Sequence, residues 1–402
     1  SVSAEYRVPY LAHAPMEPMN AVASVTAEGA EVWAGNQAPD VLKSLVARRL
    51  EIAPEKVRVH STYVGGAFGR RTYMEFALEA VALSRATGAP VKVVWSREDD
   101  MRHDHYRPAA MAAMRADIGA DGNLLGWDAR VVAPPVMKTI VGVVLPVMLP
   151  RWAPLGVGKV VEPLVAKYDP NLTEGVDSLP YALPYVRVEG LVSDPGIPVG
   201  VWRSVGHSQN AFFSECFVDE VAHALGQDPV RFRLERLPAD SPVRSALELL
   251  VAKGGWGSAP EGVYQGIAVH QSFGTVVAEQ AEIVIEDGRP KLRRVVCAVE
   301  CGVAVNPDVV RMQVESGVVF ALSAALHGEI TIRDGAVEQG NFDAYPVLRI
   351  DACPEIEVHI VPSERPPSGI GEPGVPPLAP ALANAVFAAT GKRLRELPLR
   401  LS

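Results

Sequence analysis

Val64-Gly65-Gly66-Ala67-Phe68-Gly69-Arg70-Arg71 is the stretch on which the reading of this chain turns. Before it, Val57, Val59, Ser61 and Tyr63 alternate as a strand would. After it, Phe76, Ala77, Ala80, Val81 and Leu83 fit one helical face that Gly88 ends. Three glycines in a turn let a backbone approach a ligand closely, and a following helix would offer unpaired N–H groups to an anion. A plain tight turn is the competing reading of the loop taken alone. A second stretch, Gly371-Glu372-Pro373-Gly374, precedes a helix pattern from Ala379 to Thr390 that Gly391 stops. A carboxylate fixed between Gly and Pro can be aimed, although an acid near a helix start also serves as a cap or dipole partner.

Outward from these two points, the length of 402 residues implies two domains. A hydrophobic fraction of 48% with 21% charged residues is that of an ordinary globular protein. The net charge of −9, with no long basic run, argues against a nucleic-acid surface. The longest apolar run, Ile140 to Leu149, is too short to span a bilayer, and Ser1 to Glu5 lack the regions of a signal peptide, so no compartment is assigned. Cys216, Cys297, Cys301 and Cys353 form no iron–sulfur or zinc pattern and read as mostly buried thiols. His103 and His105 follow an acidic run and have no third ligand at motif spacing, so no metal ligand is assigned.

Strand and helix patterns alternate irregularly, which implies an α+β or mixed chain. Val41, Leu42, Leu45, Val46 and Leu50 make a helical face, and Val91 to Trp95 a strand. Phe213, Phe217, Val221 and Leu225 mark a long helix ended by Gly226, and Asp228-Pro229 opens the next. Residues 130–200 read as long ordered loops, and 237–262 as a linker around one helical segment. A hairpin over 281–299 turns at Asp287-Gly288, and Asn306-Pro307 caps a helix reaching Leu326.

Six stretches, in order, resemble the molybdenum-binding large subunit of the xanthine oxidase family, nearest its isoquinoline 1-oxidoreductase beta-subunit and aldehyde-oxidising branch. They are YRVPYLAHAPMEPMNAVA (6–23), VGGAFGRR (64–71), VKVVWSREDDMRHDHYRPAA (91–110), VWRSVGHSQNAF (201–212), CGVAVNPDVVRMQVESG (301–317) and GIGEPGVPPLAPALANAVFAATGKRL (369–394). The resemblance implies two related α+β molybdopterin-cofactor-binding domains, residues 1–240 and 241–402, with the active site between them. In that family a dithiolene, not protein side chains, holds the metal. Members hydroxylate an electron-poor carbon with oxygen from water, using a glutamate as base.

Carried over motif by motif, the resemblance makes Glu372 the base and Gln37 the hydrogen-bonding partner of a metal oxo group. Gln37 read alone is equally a cap for the helix near Pro39. Gly65, Gly66, Ala67, Phe68, Gly69 and Arg70 would approach the cofactor, as would Arg203 and Ser204 of the second turn; Arg203 alone could be a surface ion pair. Gln209, Gln313 and Gly317 are further candidates for lining it. Purine-oxidising relatives carry an aromatic residue at Val205 and a carboxylate at Thr72, so a purine substrate is not expected, and aldehydes or N-heteroaromatics remain. The family's Gly-Gln-Gly and Gly/Ser-rich loops have no counterpart here. Another chain or an N-terminal fragment is therefore expected to complete the grip on molybdopterin cytosine dinucleotide. A small subunit with two [2Fe-2S] clusters would take the electrons, and the resemblance also admits an FAD subunit or a cytochrome. The rival expectation is a non-catalytic assembly or scaffold fragment that never holds metal. A nucleotide-binding module resting on residues 65–71 alone lacks both a Lys-Ser/Thr ending and a dinucleotide fingerprint.

Overall fold

In the strand Ala110–Ile118 of the computed structural model, Ala110, Ala112, Met114 and Ala116 are buried and the residues between them face outward, the period of a half-covered strand. The structure describes residues 1–149, 160–161, 165 and 167–401. Ala110–Ile118 pairs antiparallel with Val2–Val8 and with Leu124–Ala133, which runs parallel to Val186–Val192. A second four-stranded sheet has the order Val57–Ser61, Ala30–Ala34, Asn20–Val25, Val91–Val94. Helices Pro39–Leu50 and Glu75–Thr87 close its core with Leu42, Val46, Phe76 and Val81.

The third sheet is ordered Glu355–Ile360, Arg289–Glu300, Thr275–Glu286, Tyr264–Ser272. Every residue from Thr275 to Ala281 is buried, as in a strand covered on both faces. Asp287 and Gly288 both take positive φ, 50° and 74°, which gives the hairpin the twist its strands need. Helices Pro242–Gly254 and Leu378–Thr390 pack on this sheet. Between it and the first sheet runs His207–Ala224, buried at every residue from His207 to Ala222. Its three acids are compensated as buried charges must be: Glu215 pairs with Arg233 at 2.9 Å, Asp219 with Arg393 at 2.6 Å, and Glu220 with Arg395 at 2.6 Å. One hydrophobic core therefore runs from the first sheet through this helix to the third, joining residues on both sides of position 240.

The expected α+β class is the one found, and most elements lie where the periodicity put them. Asp228 caps its helix through the N–H groups of Val230 and Arg231, and Asn306 caps Pro307–Leu326 through those of Asp308 and Val309. Three readings change. Residues 130–200 are not simply loops: they include Val136–Met148 as a helix and Val186–Val192 as a strand, while 150–159 of this stretch lie outside the described residues. The 237–262 stretch is no linker, because Pro242–Gly254 buries Val243, Ala246, Leu247 and Leu250 in the main core. Leu83, placed on a buried face, is 48% exposed, and Ser84 is the residue turned inward. Helix Pro307–Leu326 is long and apolar enough to cross a bilayer by length and composition. It buries Val310, Val314, Val318 and Leu322 in the core instead.

One core residue is costly. Glu279 is fully buried opposite Cys297 in the strand register, and among the described residues its carboxyl meets no partner but the weakly bonding Cys297 thiol. Burial pushes its pKa well above the carboxylate range. A carboxyl whose pKa rises on folding contributes most stability below its unfolded pKa and loses it as pH rises. Glu279→Met should therefore raise stability at pH 8 by about 1–3 kcal/mol, with a smaller gain at pH 5. Equal gains at both pH values in denaturant titrations would refute this.

Candidate active site

The glycine loop owes its shape to two buried arginines. Arg71 donates to the carbonyl of Gly66 at 3.0 Å, of Gly35 at 3.2 Å and of Glu17 at 3.1 Å, and pairs with the Glu17 carboxylate at 2.8 Å. That carboxylate also accepts the Gly65 N–H at 2.7 Å. Arg70 turns inward, away from any ligand, with ion-pair distances of 2.6 Å to Glu75 and 3.2 Å to Asp104. Beneath the loop, Asp104 accepts the backbone N–H of His13 at 2.6 Å and meets its ring at 2.8 Å. Burial alone would raise the Asp104 pKa, but His13 and Arg70 outweigh it and hold it down to about 2. His13, Asp104 and Arg71 were not legible as site residues, because each supports the loop from a distant or inward position.

Between Gly69 and the helix Glu75–Thr87 lies a 3-10 turn, Arg70–Thr72, so the loop is not the helix N-terminus that the sequence suggested. What it offers is backbone. Gly66 and Gly69 have φ of 102° and 108°, and Phe68 between them is left-handed at 54°. Among the described residues, the N–H groups of Ala67 and Phe68 donate no hydrogen bond. The Gly69 N–H donates to the side-chain oxygen of Gln37 at 3.2 Å. Gln37 thus does not cap its helix; Asn36 accepts the Ala38 N–H instead.

The second turn is strained in the same way. Ser204 and Val205 are both left-handed, at 77° and 45°, a costly conformation for a β-branched residue that is stored where geometry matters. The turn holds the Glu372 segment with two bonds. The Ser204 N–H donates to the Glu372 carboxylate at 2.9 Å, and the Ser204 hydroxyl to the Glu372 carbonyl at 2.7 Å. Arg203 donates to the Gly371 carbonyl at 2.8 Å, to the Ser316 hydroxyl at 3.0 Å and to the Gln313 carbonyl and side-chain oxygens at 3.2 and 3.3 Å. Burial lowers its pKa to about 10 against the pull of Glu372, so it stays a cation at neutral pH. Arg203 therefore bridges the Glu372 segment to the helix Pro307–Leu326. Arg203→Lys cannot span these acceptors and should cost about 2–3 kcal/mol of stability; an unchanged unfolding midpoint would refute that role.

That helix and the Glu372 segment touch backbone to backbone. A Cβ on Gly317 would lie 2.7 Å from the Gly374 carbonyl carbon, so glycine is required there for the approach. The result is a cavity of about 670 Å³ whose walls include Gln37, Phe68, Gly69, Arg203, Gln313 and Glu372. Val205 and Thr72, the two departures from the purine-oxidising pattern, also face it. A larger apolar cavity of about 940 Å³ adjoins it across Phe68, Trp202 and Ser316, and Gly65 and Gly66 line that one. Gln209 lies behind the second turn, buried, accepting the Ser208 hydroxyl at 2.8 Å. Phe320 is stacked between Phe68 at 4.4 Å and Trp202 at 4.5 Å, tying the loop, the second turn and the helix together.

Residues 1–134 match the family described as Molybdopterin cofactor-binding domain, and residues 248–354 match a second family of that description; together they cover more than half of the chain. The chain is 32% identical over 395 residues to isoquinoline 1-oxidoreductase subunit beta of Brevundimonas diminuta, covering 96% of this chain and 48% of that protein. It is 31% identical over 424 residues to the membrane-bound aldehyde dehydrogenase [pyrroloquinoline-quinone] of Gluconacetobacter polyoxogenes, covering 98% and 53% respectively. The chain thus spans about half the length of these relatives. Its fold matches quinoline 2-oxidoreductase from Pseudomonas putida 86 with a TM-score of 0.79 at 14% identity, over 99% of this chain and 75% of that one. With both cofactor-binding domains and this likeness along nearly its whole length, the chain belongs to the molybdenum-binding subunits of the xanthine oxidase family.

Proposed function

We propose that this chain is the base-bearing part of a molybdenum hydroxylase that oxidatively hydroxylates an aldehyde or an N-heteroaromatic compound. The observation that carries the reading is the Glu372 carboxylate, held by the Ser204 N–H in a cavity opposite Gln37 and the glycine loop. Each residue supports a molybdopterin ligand in a different way. The exposed backbone of Ala67 and Phe68 gives donors to a sulfur- and oxygen-rich group, and the Gln37 amide, its oxygen engaged by Gly69, has its NH₂ left for an oxo acceptor. A Cβ at Gly69 would fall 1.8 Å from the Val201 carbonyl oxygen, so loop and second turn meet as closely as backbones can. Bound there, the cofactor supplies the two-electron acceptor.

Hydroxylation of a C–H group by water releases two electrons and two protons. Glu372 takes one proton from the water-derived oxygen: one carboxylate oxygen is fixed by Ser204, and the other makes no hydrogen bond among the described residues. A base held at hydrogen-bond reach supplies about 10²–10⁴-fold in rate. Phe68 and Trp202 give the cavity apolar walls for an aromatic or aldehyde substrate, and Val205 leaves room where a larger ring would narrow it. The cytosine dinucleotide form of the cofactor, a chain or fragment completing the cradle, and a small [2Fe-2S] subunit receiving the electrons belong to the same reading.

Metal and pterin analysis of the protein purified from its host with its bound partners tests it. Stoichiometric molybdenum, cytosine dinucleotide and an iron–sulfur chain are the expected result. A pure chain with neither metal nor pterin would replace this reading with that of a scaffold.

A further inference from the structure

The second turn holds a second carboxylate. Two residues beyond Ser204, the Gly206 N–H donates to the Glu174 carboxylate at 3.0 Å. Amides two residues apart on one strained turn thus each anchor an acid, Glu372 on one and Glu174 on the other. The packing leaves Glu174 no freedom to move off. A Cβ on Gly206 would lie 2.1 Å from the Asn171 carbonyl and 3.0 Å from Glu174 Cβ, so the turn is pressed against the Glu174 segment.

Among the described residues, no Lys or Arg pairs with Glu174. Its nearest titratable neighbour is His207, with Nε2 3.5 Å from a carboxylate oxygen, and His207 Nδ1 meets His270 Nε2 at 2.8 Å. Burial lowers His207 to about 4 and His270 to about 3, so both are neutral at working pH. The other groups acting on Glu174 are acids, Glu372 first, then Asp177 and Asp169. Arg203, the cation of the turn, directs its hydrogen bonds to Gly371, Ser316 and Gln313.

We propose that Glu174, anchored on the same turn as Glu372, is a positioning residue whose charge acts on the reaction through Glu372. This rests on the reading of Glu372 as the base. Desolvation, assisted by the Glu372 charge and opposed by the Gly206 N–H, raises the Glu174 pKa to about 7. Below neutral pH Glu174 is neutral. Above it, the Glu174 proton leaves to solvent and the base then stands beside a second anion.

Titration of side-chain carboxyl carbons by NMR in ¹³C-glutamate protein, with Glu174→Gln identifying the resonance, reads the pair with no cofactor required. Glu174 should titrate near neutrality and shift to lower pH in Glu372→Gln. An unmoved Glu174 titration in that variant overturns the proposal. In the loaded enzyme, the pH profile of kcat/KM should carry an inflection near pH 7 that Glu174→Gln removes. The Gln side chain keeps an acceptor for Gly206, so a merely structural role would leave the inflection in place, and that result also overturns the proposal. If Glu372→Gln retains full turnover, the base reading falls instead, and the titration still decides whether the two carboxyls are coupled.

Discussion

Glu372→Gln is expected to lower kcat of the loaded enzyme by about 10²–10⁴-fold, the range removed with a general base, while molybdenum content and thermal midpoint stay as in the native protein. The substitution is close to isosteric. The Gln oxygen still accepts the Ser204 N–H, and the Ser204 hydroxyl still bonds the backbone carbonyl of residue 372. Arg203 holds the preceding carbonyl in either case. What disappears is the lone pair that takes a proton. Steady-state kinetics with metal analysis of the same sample decides the point: turnover above one-tenth of native at full metal occupancy would remove Glu372 from the base role.

Gly69→Ala should be the most damaging single methyl in the site. At φ of 108° an L side chain is strained, and the added carbon would sit 1.8 Å from the Val201 carbonyl oxygen and 2.8 Å from its carbon. Neither neighbour is a flexible side chain that can swing aside. Strain and overpacking together cost about 3–5 kcal/mol, lowering the melting temperature by roughly 5 °C and breaking the bond to Gln37. Gly371→Ala is the matched control. Nothing lies within 4 Å of its added carbon, and its φ is not in the left-handed region, so stability should not change. Similar melting temperatures for the two variants would show that the loop and second turn can separate without cost.

The glycine loop, the Gly-Glu-Pro turn and the Trp-Arg-Ser-Val-Gly turn, which line one cavity, stood out in the sequence because each packs its distinctive residues into adjacent positions. Periodicity then gave the helices that carry them, with caps at Asp228 and Asn306 in place. What could not be read was support from afar. Arg70 was the arginine expected near the cofactor, yet it is sunk against Glu75 and Asp104, while Arg71 clamps the loop to Glu17 and Gly35. Glu174 lies in a stretch read as loop, and only the close approach of the Gly206 backbone brings it to the site. Tertiary packing fixes such partners, and local spacing carries no trace of them.

The stack of Phe68, Phe320 and Trp202 joins three segments distant in sequence, with Arg203 over the Phe320 ring at 5.8 Å and Arg107 over that of Trp202 at 5.6 Å, but with no carboxylate among its members. Ring stacking responds little to ionic strength or acidity, whereas the carboxyls around it respond to both. The chain therefore separates two tasks that many sites combine. A pillar of rings, none of which titrates, keeps these segments in register across a wide range of solution conditions, while the acids beside it gain or lose protons.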